Sequence, residues 1–259
     1  MADGGAPALL AVAHGTRDPA GPATVRALLD RVRALRPSVR VAEAYGELAS
    51  PSLEEAAAGL PGPAVVVPLL LARGHHALAD FPSRAAGVLP DVAFARPLGP
   101  HAGLAEAAAD RLAPLLRDGD AVVLGAAGTS DPAGTADVRT AARLLSRRLR
   151  RPVPYGFVAA HGPALADVVA ACRRGTGRVV VASYLLAPGL FHRRMLTCGA
   201  DAVAAPLGAH DAVARLVLHR YDETRTAALP QGWGIAESGG DAGGWTGSGH
   251  RLVRCRLSR

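Results

Sequence analysis

The chain has 259 residues, of which 49% are hydrophobic and 4% aromatic, and its formal net charge is +7. This length supports one large or two small domains, and no apolar run approaches the roughly 20 residues that a membrane-spanning helix requires. The positive charge would suit a nucleic acid, but the arginines are scattered and aromatic side chains for base stacking are few. We therefore expect a small-molecule enzyme with no nucleic-acid partner and no membrane segment.

Short apolar runs alternate with amphipathic stretches along the chain. In chain order, the predicted strands are residues 9–13, 39–44, 64–68, 92–95, 121–125, 153–158, 178–184 and 202–204, and the predicted helices include residues 23–35, 51–58, 77–88, 101–116 and 135–149. We place Pro51 and Pro163 at helix starts, where a missing N–H costs no hydrogen bond. Such alternation predicts an α/β protein whose parallel strands are covered by helices on both faces.

The second half of this pattern repeats the first. Residues 13–21 (AHGTRDPAG) return as residues 126–134 (AAGTSDPAG), and residues 97–101 (PLGPH) return as residues 206–210 (PLGAH). Matching segments in the same order are typical of an internal duplication. The fold class that we predict is therefore a pair of duplicated doubly wound lobes, each with a four-stranded parallel sheet flanked by helices.

The repeats also predict the domain organisation. An N-terminal lobe is expected at residues 1–117, a C-terminal lobe at residues 118–228, and a disordered tail rich in Gly, Ser and Arg at residues 229–259. The start of the chain carries Asp3 and no basic residue, unlike a signal peptide, so we expect a cytoplasmic protein. Because both lobes lie in one chain, a monomer can supply the cleft between them.

Histidine and carboxylate side chains follow the predicted strands of the first lobe. His14 comes directly after strand one, Glu47 after strand two, and His75 and His76 after strand three. Because open parallel sheets bind ligands beyond the carboxyl ends of their strands, we expect these side chains to meet at one edge of the sheet. Imidazoles beside a carboxylate can ligate a divalent metal ion or move protons near neutral pH.

The duplication separates structural residues from functional ones. The Thr and Asp after strand one are kept in both halves, whereas Ala127 stands at the position of His14 and Ala159 at that of Glu47. A residue that the fold requires should be kept in both copies. We infer that His14 and Glu47 serve function in the first lobe, and that the histidine closing each PLG-x-H segment is structural.

These motifs resemble those of a known family. Residues 14–19 (HGTRDP) are similar to the first-strand motif of the sirohydrochlorin chelatases, the class II cobalto- and ferrochelatases, and residues 74–82 (GHHALADFP) are similar to their Gly-x-His-x-x-x-Asp-aliphatic-Pro motif. Phe81 stands where this motif usually has an aliphatic residue. The resemblance covers about residues 9–223 and is to the two-lobed form, whose active-site histidines lie in the N-terminal lobe.

The resemblance implies an activity and its site residues. It implies a lyase-type chelatase that inserts a divalent metal, Fe(II) in the first place and Co(II) or Ni(II) as alternatives, into sirohydrochlorin without an organic cofactor. It implies that His14 and His76 bind or deliver the metal, with His76 favoured over His75. Glu47 is the candidate for the family's acidic position, and it or a histidine can accept the pyrrole protons.

Basic side chains in the same loops are candidates for binding the carboxylates of sirohydrochlorin, since guanidinium groups pair well with carboxylates. These candidates are Arg17, Arg73, His192 and Arg193. Other functions stay open at this point: a cobaltochelatase of cobalamin synthesis, and a non-catalytic metal or tetrapyrrole carrier. A hydrolase is disfavoured because the sequence contains no GxSxG nucleophile elbow.

Overall fold

The computed structural model describes residues 6–74, 81–89, 91–159 and 162–228. In the first half the elements are β1 (Ala8–Ala13), α1 (Ala20–Leu35), β2 (Val41–Tyr45), α2 (Leu53–Ala58), β3 (Ala64–Pro68), α3 (Phe81–Ala86), β4 (Val92–Phe94) and α4 (Ala102–Leu112). In the second half they are β5 (Ala121–Ala126), α5 (Pro132–Leu149), β6 (Tyr155–Phe157), α6 (Leu165–Thr176), β7 (Val179–Tyr184), α7 (Leu190–Leu196), β8 (Ala202–Val203) and α8 (Asp211–Ala228). Among these helices, none is long and apolar enough to cross a bilayer.

The strands form two four-stranded parallel sheets with the same topology. Their orders are β2-β1-β3-β4 and β6-β5-β7-β8. In each sheet the first strand in sequence pairs in parallel with the second and the third. Every residue of β1, β3 and β7 is buried, because helices cover both faces of the sheets. The predicted fold class is confirmed.

The turn after the first strand of each half is closed by the same two side chains. The Asp18 N–H donates to Oγ1 of Thr16 over 3.2 Å, and the N–H two residues further on donates to the Asp18 carboxylate over 3.1 Å. Thr129 and Asp131 make the equivalent bonds over 3.1 and 2.8 Å in the second half. These bonds order the chain before α1 and α5, so the repeated Thr and Asp are structural, as predicted.

Pro51 and Pro163 precede their helices and do not begin them. Both stand before the residue that caps the following helix, and α2 begins at Leu53, so the predicted helix start was too early. The two proline carbonyls accept hydrogen bonds from the N–H groups of Tyr45 and Phe157, each over 2.9 Å. Each proline therefore adds a hydrogen bond to the strand before it, β2 or β6, because its carbonyl group can still act as an acceptor.

The last helix of each half packs on the other half. Helix α8 contacts α1, β3 and β4 of the first half, whereas α4 contacts α5 and β7 of the second. Buried apolar side chains from both halves consequently form one continuous cluster, while the outer helices α2, α3, α6 and α7 cover separate clusters, one in each half. The two lobes are therefore joined by exchanged helices, which the linear sequence pattern did not predict.

Two arginines attach the exchanged helices. Arg220 of α8 is 1% exposed, and its Nε and Nη2 donate to the carbonyls of Pro97 and Leu98, each over 3.0 Å. Its counterpart Arg111 of α4 donates from Nε and Nη2 to the carbonyl of Leu207 over 3.3 and 3.1 Å. Both arginines therefore bind the PLG-x-H segment of the opposite half, and each repeats at the same position after its own copy of that segment.

The Glu223 carboxylate completes the junction around Arg220. Arg96 donates to one oxygen of Glu223 over 2.7 Å, and Arg220 donates to the other over 3.0 Å. Burial alone would raise the pKa of Glu223, but the hydrogen bonds and charges of the two arginines outweigh it and lower the pKa from 4.5 to about 2. Because the folded-state pKa is depressed, this carboxylate stabilises the fold above about pH 4.5, and its contribution is lost as the pH falls towards about 2.

We expect Glu223→Gln to lower the free energy of unfolding at neutral pH by about 1–2 kcal/mol, because solvent screens this partly exposed group. The variant should also lose less stability than the wild type between about pH 5 and pH 2. Urea unfolding across this pH range measures both effects. Asp30→Asn, which removes an exposed ion pair with Arg33, is the control and should change little. An equal acid sensitivity of wild type and Glu223→Gln would contradict the prediction.

Candidate active site

His14 and Glu47 lie side by side at the carboxyl edge of the first sheet. His14 follows β1 and is half-buried, and Glu47 follows β2 and is exposed. The Glu47 N–H donates to the His14 carbonyl over 2.9 Å, and the Gly46 N–H donates to the Ala13 carbonyl over 2.8 Å. Pairing between the two strands thus continues past their ends and holds the two predicted site residues next to each other.

Gly15 permits this close approach of the two loops. Its φ is +96°, and a Cβ atom at this position would lie 1.7 Å from the carbonyl oxygen of Glu47. Both the backbone conformation and the lack of space exclude a side chain. The glycine of the His-Gly-Thr motif is therefore required for the pairing of the two site loops.

Helix α3 supports the loop that carries Glu47. Phe81 is fully buried, and a Cβ atom on Gly46 would lie 2.4 Å from its ring. Arg84 donates to the Gly46 carbonyl over 2.9 Å and pairs with both carboxylate oxygens of Glu54 over 2.6 and 2.9 Å. The aromatic ring at the usually aliphatic position of the motif thus fits because it packs against a glycine.

His76, the second predicted metal ligand, lies outside the described residues, as does His75. The loop that leads to them starts beside β1, because the Leu69 N–H donates to the Val12 carbonyl over 2.8 Å. Within the described part of the chain, no three His, Cys, Asp or Glu side chains are grouped closely enough to hold a metal ion. Metal binding by His14 together with His76 stays a prediction.

The second half has the same backbone arrangement without the polar side chains. There the Ala159 N–H donates to the Ala127 carbonyl over 2.9 Å, which matches the bond between Glu47 and His14. The alignment of the two halves is therefore correct at these positions. Because alanine suffices for this loop pairing in the second half, the fold does not require the imidazole of His14 or the carboxylate of Glu47.

Loops from the two lobes meet at the carboxyl edges of their sheets. A Cβ atom on Gly21 would lie 3.4 Å from the carbonyl oxygen of Pro188, and one on Gly189 would lie 3.1 Å from Oγ1 of Thr16. Reciprocally, a Cβ atom on Gly134 would lie 2.4 Å from the carbonyl oxygen of Arg73. The loop after the third strand of each lobe thus packs against the first helix turn of the other lobe.

Two of the predicted substrate-binding arginines form ion pairs between the lobes. Nε and Nη2 of Arg73 lie 2.9 and 2.8 Å from the buried carboxylate of Asp137, and Arg193 forms an ion pair with Asp18. Each guanidinium group keeps N–H donors that its ion pair does not use, so either arginine could also bind a substrate carboxylate. Arg17 is exposed and forms no ion pair within the described part of the chain, so no described carboxylate competes for its guanidinium group.

His192 lies at the start of α7, close to the loop after β1. It stands between Gly189 and Arg193, which both contact that loop. Its Nε2 atom is shielded from solvent and has no hydrogen-bond partner among the described residues. Leaving a buried polar atom without a hydrogen-bond partner costs about 1–3 kcal/mol, so Nε2 of His192 is suited to form a hydrogen bond with a ligand.

The sequence did not indicate Tyr184 or Asp137, which shape the junction between the lobes. The Tyr184 hydroxyl donates to the Leu71 carbonyl over 3.0 Å, and Asp137 binds Arg73 as described. Burial, and to a lesser extent the charge of Asp137, raises the pKa of Tyr184 far above its usual value. Tyr184 therefore stays protonated and serves as a structural donor. A lone Asp or Tyr in a strand or helix carries no pattern that would reveal such a partner.

The histidine that closes each PLG-x-H segment is structural, as predicted. The ring Nδ1 of His101 accepts a hydrogen bond from the Gly103 N–H over 3.0 Å, at the start of α4. His210 accepts one from the Ala212 N–H over 3.1 Å, at the start of α8. Each histidine therefore satisfies a free N–H group at a helix end.

The two parallel sheets face each other through the loops at their carboxyl edges, and His14 and Glu47 have no polar counterparts in the second lobe. This arrangement defines a two-lobed α/β protein of the chelatase fold. The CbiX family model matches residues 8–115 and matches again at residues 121–224. The chain therefore belongs to the CbiX family, which confirms both the resemblance found in the sequence and the duplication.

Solved structures of similar fold agree with this assignment. SirB from Bacillus subtilis with Fe3+ is 26% identical with a TM-score of 0.72, covering 86% of this chain and 97% of its own. The sirohydrochlorin chelatase SirB from Bacillus subtilis subspecies spizizenii, in complex with cobalt, is 25% identical with a TM-score of 0.70. That match covers 85% of this chain and 96% of the SirB chain. A CbiX described as the terminal enzyme for biosynthesis of siroheme in denitrifying bacteria shares the fold at 21% identity and a TM-score of 0.62, covering 86% and 100%. Comparison with curated proteins yields no significant match.

Proposed function

We propose that this protein is a sirohydrochlorin chelatase that inserts Fe(II) into sirohydrochlorin to form siroheme. The observation that carries the proposal is the pairing of His14 with Glu47 at the carboxyl edge of one lobe, where the other lobe has alanines on the same backbone. The two SirB structures, one with Fe3+ and one with cobalt, support a chelatase acting on a first-row metal. Co(II), for cobalamin synthesis, is the second candidate metal.

In the proposed reaction a divalent ion enters the macrocycle and two pyrrole protons leave it. Neutral imidazoles of His14 and His76 would replace part of the hydration shell of the ion without holding it irreversibly. The backbone pairing places Glu47 next to His14 in the sheet edge, and its carboxylate would accept protons from the pyrrole nitrogens. Holding the ion and the ring in one site removes much of the entropic barrier of their encounter.

The junction of the lobes would bind the carboxylates of the macrocycle. Arg17 is exposed beside His14, and the unpartnered Nε2 of His192 lies in the helix turn that faces the same loop. Arg73 and Arg193 would contribute through the N–H groups that their ion pairs with Asp137 and Asp18 leave unused.

The proposed activity is tested by anaerobic insertion of Fe(II), Co(II) and Ni(II) into sirohydrochlorin, followed by absorption spectroscopy. We expect at least about a hundredfold acceleration over the reaction without protein, with the highest rate for Fe(II). A highest rate for Co(II) would instead assign the protein to cobalt insertion. Tight binding of sirohydrochlorin without acceleration by any ion would contradict an enzyme and favour a carrier.

A further inference from the structure

A pocket of about 700 Å³ lies at the junction of α4, α5 and α8, and none of its lining residues belongs to the loops that carry His14 and Glu47. We call it the junction pocket. Its polar lining comes from both halves of the chain: His101, Glu106, Arg147, Arg148, Arg215 and His219. The rest of its lining consists of alanine, glycine and leucine, so an apolar surface lies beside several cationic groups.

The charges of the junction pocket do not cancel. Of the described residues, Glu106 alone contributes a carboxylate to the lining, and its Oε1 lies 3.3 Å from Nη2 of Arg215. Arg147 and Arg148 are exposed at the end of α5 and form no ion pair with any described residue. Two guanidinium groups therefore remain available to an anionic ligand.

The equivalent junction of α8, α1 and α4 is neutralised by acids. Asp211 pairs with Arg31 there, and Asp110 lies 3.1 Å from the ring of the histidine that caps α8. When the two halves are aligned on their PLG-x-H segments, Asp211 corresponds to Ala102 of the junction pocket, and Asp110 corresponds to His219. The junction pocket thus lacks both acids.

The two unpaired arginines are also confined to one half. When the two halves are aligned on residues 13–21 and 126–134, Arg147 corresponds to Ala34 and Arg148 corresponds to Leu35. The arginines at the end of α1, Arg33 and Arg36, stand at other positions and form ion pairs with Asp30 and Asp222, so no unpaired guanidinium group remains there among the described residues. This is the same asymmetry between the halves that distinguishes His14 and Glu47 from structural residues.

We propose that the junction pocket binds a small organic anion that carries two or more carboxylates on an apolar body. Each guanidinium group can hold a carboxylate through two parallel hydrogen bonds, and the apolar lining suits the hydrocarbon part of such a ligand. The pocket volume lies within the range of small-molecule sites. Because its walls come from both halves, a bound ligand connects α4 with α5 and α8 and stabilises the folded protein.

Calorimetric titration of the full chain with benzene-1,3,5-tricarboxylate, citrate and inorganic phosphate tests this inference. We expect the aromatic tricarboxylate to bind most tightly and to raise the Tm. Its Kd should rise about tenfold in Arg147→Ala/Arg148→Ala. The control is Arg139→Ala/Arg143→Ala, which removes the same charge from the same helix outside the pocket lining and should leave the Kd unchanged.

Equal weakening in the two double variants would show a general charge effect and overturn the proposal, as would an unchanged Kd in Arg147→Ala/Arg148→Ala. Phosphate binding as tightly as the aromatic tricarboxylate would overturn the proposed ligand class. The result is independent of chelatase activity, because His14→Ala should bind the tricarboxylate as the wild type does.

Discussion

Replacing His14 by alanine is expected to slow metal insertion by about 100- to 1,000-fold while the protein stays folded, because the imidazole would act directly on the metal or on a proton in the proposed reaction. The fold should tolerate the change, since Ala127 occupies the same backbone position in the second half with the same hydrogen bond to its carbonyl. Anaerobic insertion rates with each metal, together with the circular dichroism spectrum and the Tm, measure both expectations.

Ala127→His is the matched control for this experiment. It places the same imidazole at the equivalent position of the second lobe, next to Ala159 where the first lobe has Glu47. We expect it to leave the insertion rate unchanged and, when combined with His14→Ala, to restore no activity. A folded His14→Ala protein with a rate near that of the wild type would remove His14 from the mechanism.

Replacing Arg220 by alanine is expected to lower the free energy of unfolding by about 3–5 kcal/mol, because a buried ionic group is removed and its acceptors lose their donor. The affected acceptors are the carbonyls of Pro97 and Leu98, which belong to the first half, and the Glu223 carboxylate. The change should also lower the Tm by about 10 °C. Urea unfolding and calorimetry near neutral pH measure the two quantities.

Arg111→Ala is the corresponding change in the other exchanged helix. Arg111 is partly buried and binds one carbonyl, that of Leu207, so its loss should cost only about 1–2 kcal/mol. The difference between the two variants isolates the effect of burial and of the additional acceptors. If Arg111→Ala were as destabilising as Arg220→Ala, burial and the additional acceptors would not explain the effect of Arg220→Ala.

Several elements of the fold were readable from the sequence because they depend on local pattern. Strand β3 has the predicted bounds, and β1, β5 and β7 differ from theirs by one residue at one end. Continuous apolar runs of this length identify strands that are buried on both faces. The edge strands β6 and β8 are shorter than predicted, because pairing with a single neighbour ends before the apolar run does.

The pairing of His14 with Glu47 was also readable, since the ends of adjacent parallel strands coincide at one sheet edge. The arginines show the limit of this argument. Their position in the loops predicted contact with substrate, yet Arg73 and Arg193 are engaged by Asp137 and Asp18 of the opposite lobe. The sequence indicates that a charged side chain lies near a site, but it does not show which oppositely charged side chain pairs with it in the folded protein.

The sequence by itself determined the family, through two motifs that resemble those of the chelatases. It also determined the duplication, the parallel sheets and the half of the chain that carries His14 and Glu47, because each of these follows from local periodicity or from a comparison of the two copies. The tertiary structure alone decided that α4 and α8 exchange places, that Arg111 and Arg220 bind the opposite half, and that one junction stays basic. The physical reason is that an amphipathic pattern shows that a helix has an apolar face. Which of two similar sheets covers that face depends on the packing of the whole chain.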